Sequence, residues 1–161
     1  MIEPFDKVFQ NKSWPGVIPI HNLYTAGVAG ERFLRGIQKE GKLLATRCSA
    51  CRKEFLPPKL FCPFCLCELT EWKEVEPRGT VETYTVSRRG SHGEPLDGPR
   101  IFAFIRLTPD GGLIHILGEV GVDAVRIGQI VEALFKPAPA RTGSILDILY
   151  FRPCKITAPS N

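Results

Sequence analysis

Histidine is scarce in this chain of 161 residues, and the three present, His21, His92 and His115, stand far apart. A Ser/His/Asp or Cys/His catalytic group needs a base oriented by a third residue, and nothing local assembles one. Of the three, His92 is the best functional candidate, because it sits in the loop-like run Arg88-Arg-Gly-Ser-His-Gly93; His115 reads as a residue on a strand face. No glycine-rich loop leads into a helical pattern, so Gly111-Gly112 is a hairpin turn rather than a phosphate cradle. No apolar run reaches the length that crosses a bilayer, so no membrane partner is expected. The amino terminus, Met-Ile-Glu-Pro-Phe-Asp, lacks the pattern of a secretory leader. Charge of one sign is also lacking: 21 Lys/Arg face 17 Asp/Glu, a net +4. After Gly79 nine Lys/Arg face eight Asp/Glu, whereas tracking a nucleic-acid backbone needs a basic groove.

What the chain does have is cysteine in a telling arrangement: Cys48-Ser-Ala-Cys51, ten residues, then Cys62-Pro-Phe-Cys65. Each pair puts two sulfurs on a tight turn, and the loop between lets the turns face each other around one tetrahedral ion, the plan of a zinc ribbon. Four thiolates close the coordination shell and leave no position for water or substrate, so the Zn²⁺ they imply is structural. Two disulfides, or four reduced buried thiols, are the competing readings. Zinc with four thiolates carries a net charge of minus two, which Arg47, Arg52, Lys53 and Lys59 stand close enough in sequence to offset. Cys67 and Cys154 fall outside the set and read as spare thiols. A four-cysteine metal site points to a reducing compartment, the cytoplasm.

Along the chain, three prolines (Pro4, Pro15, Pro19) break up isolated apolar residues, so residues 1 to about 25 form an extended arm rather than one regular element. Its Phe5, Phe9 and Trp14 must bury on the chain's own body or on a partner. Thr25 can cap a helix from Ala26 to Lys39, in which Ala29, Phe33 and Ile37 share a face and Gly41 ends it. Gly27, Gly30 and Gly36 make that helix depend on packing. Lys42 to Arg47 leads as a strand into the first cysteine turn, Glu54 to Phe61 supplies apolar cover for the metal, and Glu68 to Val75 closes the ribbon with Leu69 and Trp72 as caps. Pro77-Arg-Gly79 joins it to five short strands: 79–87, 100–107, 113–119, 129–135 and 145–151, with a Gly/Pro loop at 90–99. Five strands without long helices make a small Greek-key barrel, the OB-fold. The expected class is therefore mainly β: arm and helix at 1–41, zinc ribbon at 42–78, OB-fold barrel at 79–161.

Arg47-Cys48, Cys51, Cys62, Cys65, Trp72, Gly79 to Val86, Val125 to Glu132 and Phe151 to Pro153 together resemble a known family. These are the zinc-ribbon/OB-fold proteins, with a rubredoxin-like ribbon, that accompany thiolases and other acyl-CoA enzymes. The resemblance implies a non-catalytic accessory subunit that docks on a larger thiolase-like or hydratase subunit in a hetero-oligomer. It would support assembly and the acyl-CoA site, for thiolytic C–C cleavage or formation, with an aromatic thioester such as benzoylsuccinyl-CoA among the substrates the resemblance offers. The catalytic residues then belong to the larger subunit and none to this chain. If the barrel helps bind coenzyme A, Arg88, Arg89, Arg126, Lys136 and Arg141 are the cations available for its phosphates. The alternative is a free-standing OB-fold module for acyl-CoA or single-stranded nucleic acid, with Tyr84, Phe102 and Phe104 as a stacking face.

The charge balance generates a first prediction. Single-stranded DNA or RNA binds negligibly at physiological salt, because few phosphates can be neutralised and any low-salt affinity falls steeply as salt rises. Fluorescence anisotropy titrations check this; sub-micromolar, salt-resistant binding would contradict it.

Overall fold

The computed structural model describes Gly16 and residues 24–154; the arm and His21 otherwise lie outside the described residues. Helix α1, Gly27–Glu40, is followed by strands β1 (Leu43–Arg47), β2 (Glu54–Phe55) and β3 (Glu71–Val75), then β4 (Arg78–Arg89), β5 (Pro95–Thr108), β6 (Gly111–Leu117), β7 (Ile130–Phe135) and β8 (Ile148–Pro153). The first three strands form a sheet in the order β2-β1-β3, and the last five close into a barrel in the order β4-β5-β6-β8-β7. Closure is made where β4 meets β7, Gly79 facing Val131. A five-stranded closed barrel with one parallel contact, Leu117 beside Phe151 between β6 and β8, is the OB-fold, so the mainly β class stands.

Helix α1 buries Ala29, Phe33 and Ile37 as their spacing requires. It does not start on a Thr25 cap. The N-cap is Ala26 without a side-chain hydrogen bond, and Gly27 takes a left-handed φ of 67°. Gly41 ends the helix at φ 68°, its N–H bonding back to Gly36 and Ile37. The buried Gly36 lets the helix lie against β1: a Cβ there would stand 3.1 Å from Leu44 Cδ1. Phe33 and Ile37 enter the same apolar cluster as Leu43, Ala45, Leu56 and Val75 of the ribbon and Val81, Ile105 and Phe151 of the barrel. Helix, ribbon and barrel thus share one core.

Two barrel elements differ from the sequence reading. Half of the run 90–99 is strand, since β5 begins at Pro95 and β4 and β5 extend as a long hairpin in which Arg89 pairs with Pro95, leaving 90–94 as its tip. Pro95 and Pro99 are tolerated because β6 pairs with β5 only from Ile101 onward, leaving that outer edge without a ladder to break. Ile145–Asp147 is a 3₁₀ turn rather than the start of the last strand. Asp147, fully buried, collects the N–H groups of Thr142, Gly143 and Ser144 at 2.9, 2.7 and 3.2 Å and lies 3.7 Å from Lys136 Nζ. Burial opposes its charge, yet these donors hold its carboxyl below the usual carboxylate range. Gly79 and Gly112 are obligatory: a Cβ would stand 2.2 Å from the Arg106 carbonyl oxygen and 2.1 Å from that of Ile105, respectively.

His115 does lie on a strand, on the inner face of β6, edge-on to Phe151 at 5.8 Å. It is 6% exposed and neither ring nitrogen completes a hydrogen bond, although the backbone of Ile116 and Ile145 lies near enough to interact. Burial is the larger effect and holds its pKa below the usual imidazole value. The fold therefore accepts the neutral ring, and the unfolded chain binds the proton more readily. Stability is fully present above about pH 6.5 and falls as pH drops through that value, with a slope of up to about 1.4 kcal/mol per pH unit for one proton. Urea unfolding from pH 7.5 to 5 checks this, with His115→Phe expected to flatten the slope; an unchanged slope in the variant would refute the assignment.

Candidate metal centre

The two cysteine turns are built alike. Cys48 N–H bonds to the Lys53 carbonyl (2.9 Å) and Arg52 N–H to the Cys48 carbonyl (2.8 Å); Cys62 N–H bonds to the Cys67 carbonyl (2.9 Å) and Leu66 N–H to the Cys62 carbonyl (2.8 Å). Closing such a turn requires a left-handed residue after the second cysteine, and Arg52 (φ 59°) and Leu66 (φ 62°) supply it although neither is glycine. In consequence the sulfurs of Cys48, Cys51, Cys62 and Cys65 all lie within 4.8 Å of one another, Cys48 and Cys65 at 3.5 Å. Four sulfurs placed tetrahedrally at about 2.3 Å from zinc stand about 3.8 Å apart, so this set fits the ion.

The thiols also need a cation. With protons alone, the Cys65 thiol and then burial push Cys51 up to about 12. Burial works in the same sense on Cys62, but the N–H groups of Cys65 and Phe64 outweigh it and bring that thiol down to about 7. Four like groups at such distances ionise together only when a metal takes the charge. The Cys51 N–H reaches the Cys48 sulfur at 3.3 Å, one of the outer bonds that orient a ligand.

Around the sulfurs the structure amends the reading of the apolar cover. Phe55 and Leu69 are buried with Cys48 and Cys62 in a small cluster of their own. Leu56 turns to the shared core, while Leu60 and Phe61 are exposed. Trp72 does not cap the metal: the Arg32 guanidinium of α1 stacks on its ring at 4.1 Å. Arg47 pairs with Glu71 at 3.5 Å and Lys53 with Asp110 at 3.1 Å. Arg52 and Lys59 are exposed, Lys59 held through its backbone to the buried Thr46 hydroxyl (3.0 Å). Cys67 is exposed and Cys154 half-buried, both outside the four-sulfur group.

The five cations considered for coenzyme A stand on different elements of the barrel, with Lys136 and Arg141 side by side. Arg88 and Arg89 are exposed on the β4–β5 hairpin, where Arg89 donates to the Gly93 carbonyl at 2.8 Å. His92 is exposed at the hairpin tip, its N–H held by Glu94 at 3.0 Å. Arg126 donates to the carbonyls of Asp123 (2.6 Å) and Val125 (2.7 Å). Arg141 donates to the Lys136 carbonyl (2.8 Å) and lies at the carboxyl end of α1, 3.0 Å from where a Gly41 Cβ would be. Of the aromatics, Phe102 and Phe104 face Thr85 and Thr83 on β4, and Tyr84 faces Ala103. Asp147, which ties the 140s loop to the barrel, was missed because its partners are backbone groups.

Comparison with known proteins agrees with this architecture. The model of the ChsH2 rubredoxin-like zinc ribbon domain matches residues 38–66 and that of the ChsH2 C-terminal OB-fold domain matches residues 72–136, together more than half of the chain. The chain belongs to the ChsH2-type family of zinc-ribbon/OB-fold proteins. A DUF35 domain-containing scaffold protein of Methanocaldococcus jannaschii is 28% identical over 107 residues, 65% of this chain and 75% of that protein. A "Probable enoyl-CoA hydratase alpha subunit" of Thermomonospora curvata is 32% identical over 95 residues; they make up 58% of this chain and span only 29% of that relative's length. Among solved structures, a DUF35 protein of unknown function from Sulfolobus solfataricus superposes with a TM-score of 0.58 at 25% identity, covering 79% of this chain and 84% of that one. The Ltp2-ChsH2(DUF35) aldolase gives 0.55 at 25% identity, covering 76% and 91%.

Replacing Cys62 by Ser is expected to release the metal and unfold the ribbon, because metal binding worth on the order of 10 kcal/mol and local folding are one equilibrium. Elemental analysis with amide exchange checks this: zinc falls well below one per chain and protection is lost in β1–β3 while β4–β8 keep theirs. A variant with unchanged metal content and protection would contradict the site.

Proposed function

We propose that this chain is a non-catalytic accessory subunit of an acyl-CoA enzyme complex, docking on a larger thiolase-superfamily subunit that supplies the reactive cysteine and histidines. The observation that carries this reading is the structural match over 91% of a chain of the Ltp2-ChsH2(DUF35) aldolase, supported by the relatives named as a scaffold and as a hydratase subunit. Local chemistry is consistent with it. The metal centre has four sulfur ligands and so offers no coordination position to a substrate. The reaction of the complex is thiolytic cleavage or formation of a C–C bond in an acyl-CoA, and the chain helps shape the acyl-CoA site in the cytoplasm. Of the five cations offered for coenzyme A phosphates, Arg88 is exposed, whereas Arg89, Arg126 and Arg141 each donate to main-chain carbonyls and Lys136 lies near Asp147.

Purification of the tagged chain from its native cells tests this. A larger thiolase-like subunit is expected to co-elute in fixed stoichiometry, and C–C bond cleavage to appear only when both chains are present. Turnover of an acyl-CoA thioester by the isolated small chain, or full activity of the large subunit alone, would overturn the reading.

A further inference from the structure

The two cysteine turns share one backbone but not one surface. At corresponding places the first carries Ser49, Ala50 and Arg52, and the second Pro63, Phe64 and Leu66. Arg52 and Leu66 both hold the left-handed conformation that closes the turn, at φ 59° and 62°, so the geometry makes no demand for an apolar residue there. Glycine would adopt it with the least strain. Nor does the ribbon's core use these side chains: Phe61 is 58% exposed, Phe64 66% and Leu66 76%, whereas Phe55 and Leu69 are buried beside the sulfurs. Phe64 meets its own chain in a stack on Phe55 at 6.3 Å and under the Lys53 ammonium at 4.9 Å. Large apolar side chains, one of them on a strained backbone, are thus held out to solvent at the tip of a rigid turn.

We propose that the second cysteine turn is a peg that enters an apolar pocket of the larger subunit, with Phe64 and Leu66 as its anchors. The inference rests on the accessory-subunit reading and adds to it the face that docks. Surface area decides the occupant. At about 200 Å² for a fully exposed large apolar side chain, Phe61, Phe64, Leu66 and the 37% exposed Leu60 together present on the order of 450 Å². A patch of that size marks an interaction site on a single chain, yet a stable pair of proteins needs about 800 Å² from each partner. Two copies meeting turn to turn bury only their convex tips and fall short of that area. A turn inserted into a concave surface buries its sides as well and reaches it. The Cys62 and Leu66 N–H groups are bonded within the turn, which fixes the anchors before docking and spares the cost of ordering them.

The test uses the full chain and the thiolase-like subunit that co-purifies with it, the two then produced separately and their affinity measured by titration. Leu66→Gly is the informative variant. Glycine suits the left-handed turn, so zinc content and thermal stability are expected to hold or rise while the dissociation constant rises at least about tenfold. Phe64→Ala is expected to weaken binding by a similar factor with unchanged zinc content. Arg52→Gly, the same change on the first turn, is expected to leave affinity within about twofold. Unchanged affinity in Leu66→Gly and Phe64→Ala, or an equal loss in Arg52→Gly, would overturn the peg and leave the accessory-subunit reading standing. Self-association of the free chain that Leu66→Gly abolishes would assign the turn to a second copy and overturn the peg as well. Failure of the wild-type chain to associate with any thiolase-like subunit would overturn both.

Discussion

Four sulfurs within 4.8 Å of one another constrain the ribbon and, through it, the helix packed on it. The ribbon's own apolar cluster consists of Cys48, Phe55, Cys62 and Leu69, far too little to repay the conformational entropy of ordering some thirty residues. Metal coordination makes up the difference. Once the two turns are fixed, β1 is fixed with them, because it runs straight into Cys48 and pairs with both β2 and β3. Its other end then delivers Leu43 and Ala45 to the core shared with α1 and the barrel. The metal therefore acts at a distance through one five-residue strand.

Contacts away from the metal then set how ribbon and barrel sit together. Asp110, in the β5–β6 turn, accepts the Glu54 N–H at 3.1 Å and pairs with Lys53, and Gly112 N–H bonds to the Leu56 carbonyl at 3.1 Å. Gly111 permits that approach: a Cβ there would stand 2.7 Å from Leu56 N. The Asp110 carboxyl is held below the usual carboxylate range chiefly by the Glu54 N–H, then by Lys53, so this junction persists at neutral pH. Ribbon and barrel are thus joined by these main-chain and charged contacts as well as by the shared core.

The metal site was legible in the sequence because its determinants are local: the Cys-x-x-Cys spacing places two sulfurs on one turn. The barrel was legible from runs of β-branched and aromatic residues between turn signals. Part of what escaped depends on partners distant in sequence, and part on side-chain-to-backbone bonds and backbone dihedrals that composition does not reveal. Trp72 looked like a cap for the metal, yet Arg32, forty residues earlier, takes its ring. Pro95, Gly98 and Pro99 read as a loop because a sequence does not reveal that one strand edge there has no ladder. Ile145-Leu-Asp-Ile carries a strand-like composition, but Asp147 gathers three backbone N–H groups and turns the chain into a 3₁₀ loop. The expected helix cap at Thr25 gave way to the left-handed Gly27, which starts the helix without a side-chain bond.

The central claim is that the chain is organised by a coordinatively saturated four-sulfur metal centre. X-ray absorption at the zinc edge on the reduced, purified chain measures this directly. The account predicts a single shell of four sulfurs at about 2.3 Å with no nitrogen or oxygen ligand. A mixed shell containing water or a carboxylate, or a folded chain that holds no metal at all, would contradict it.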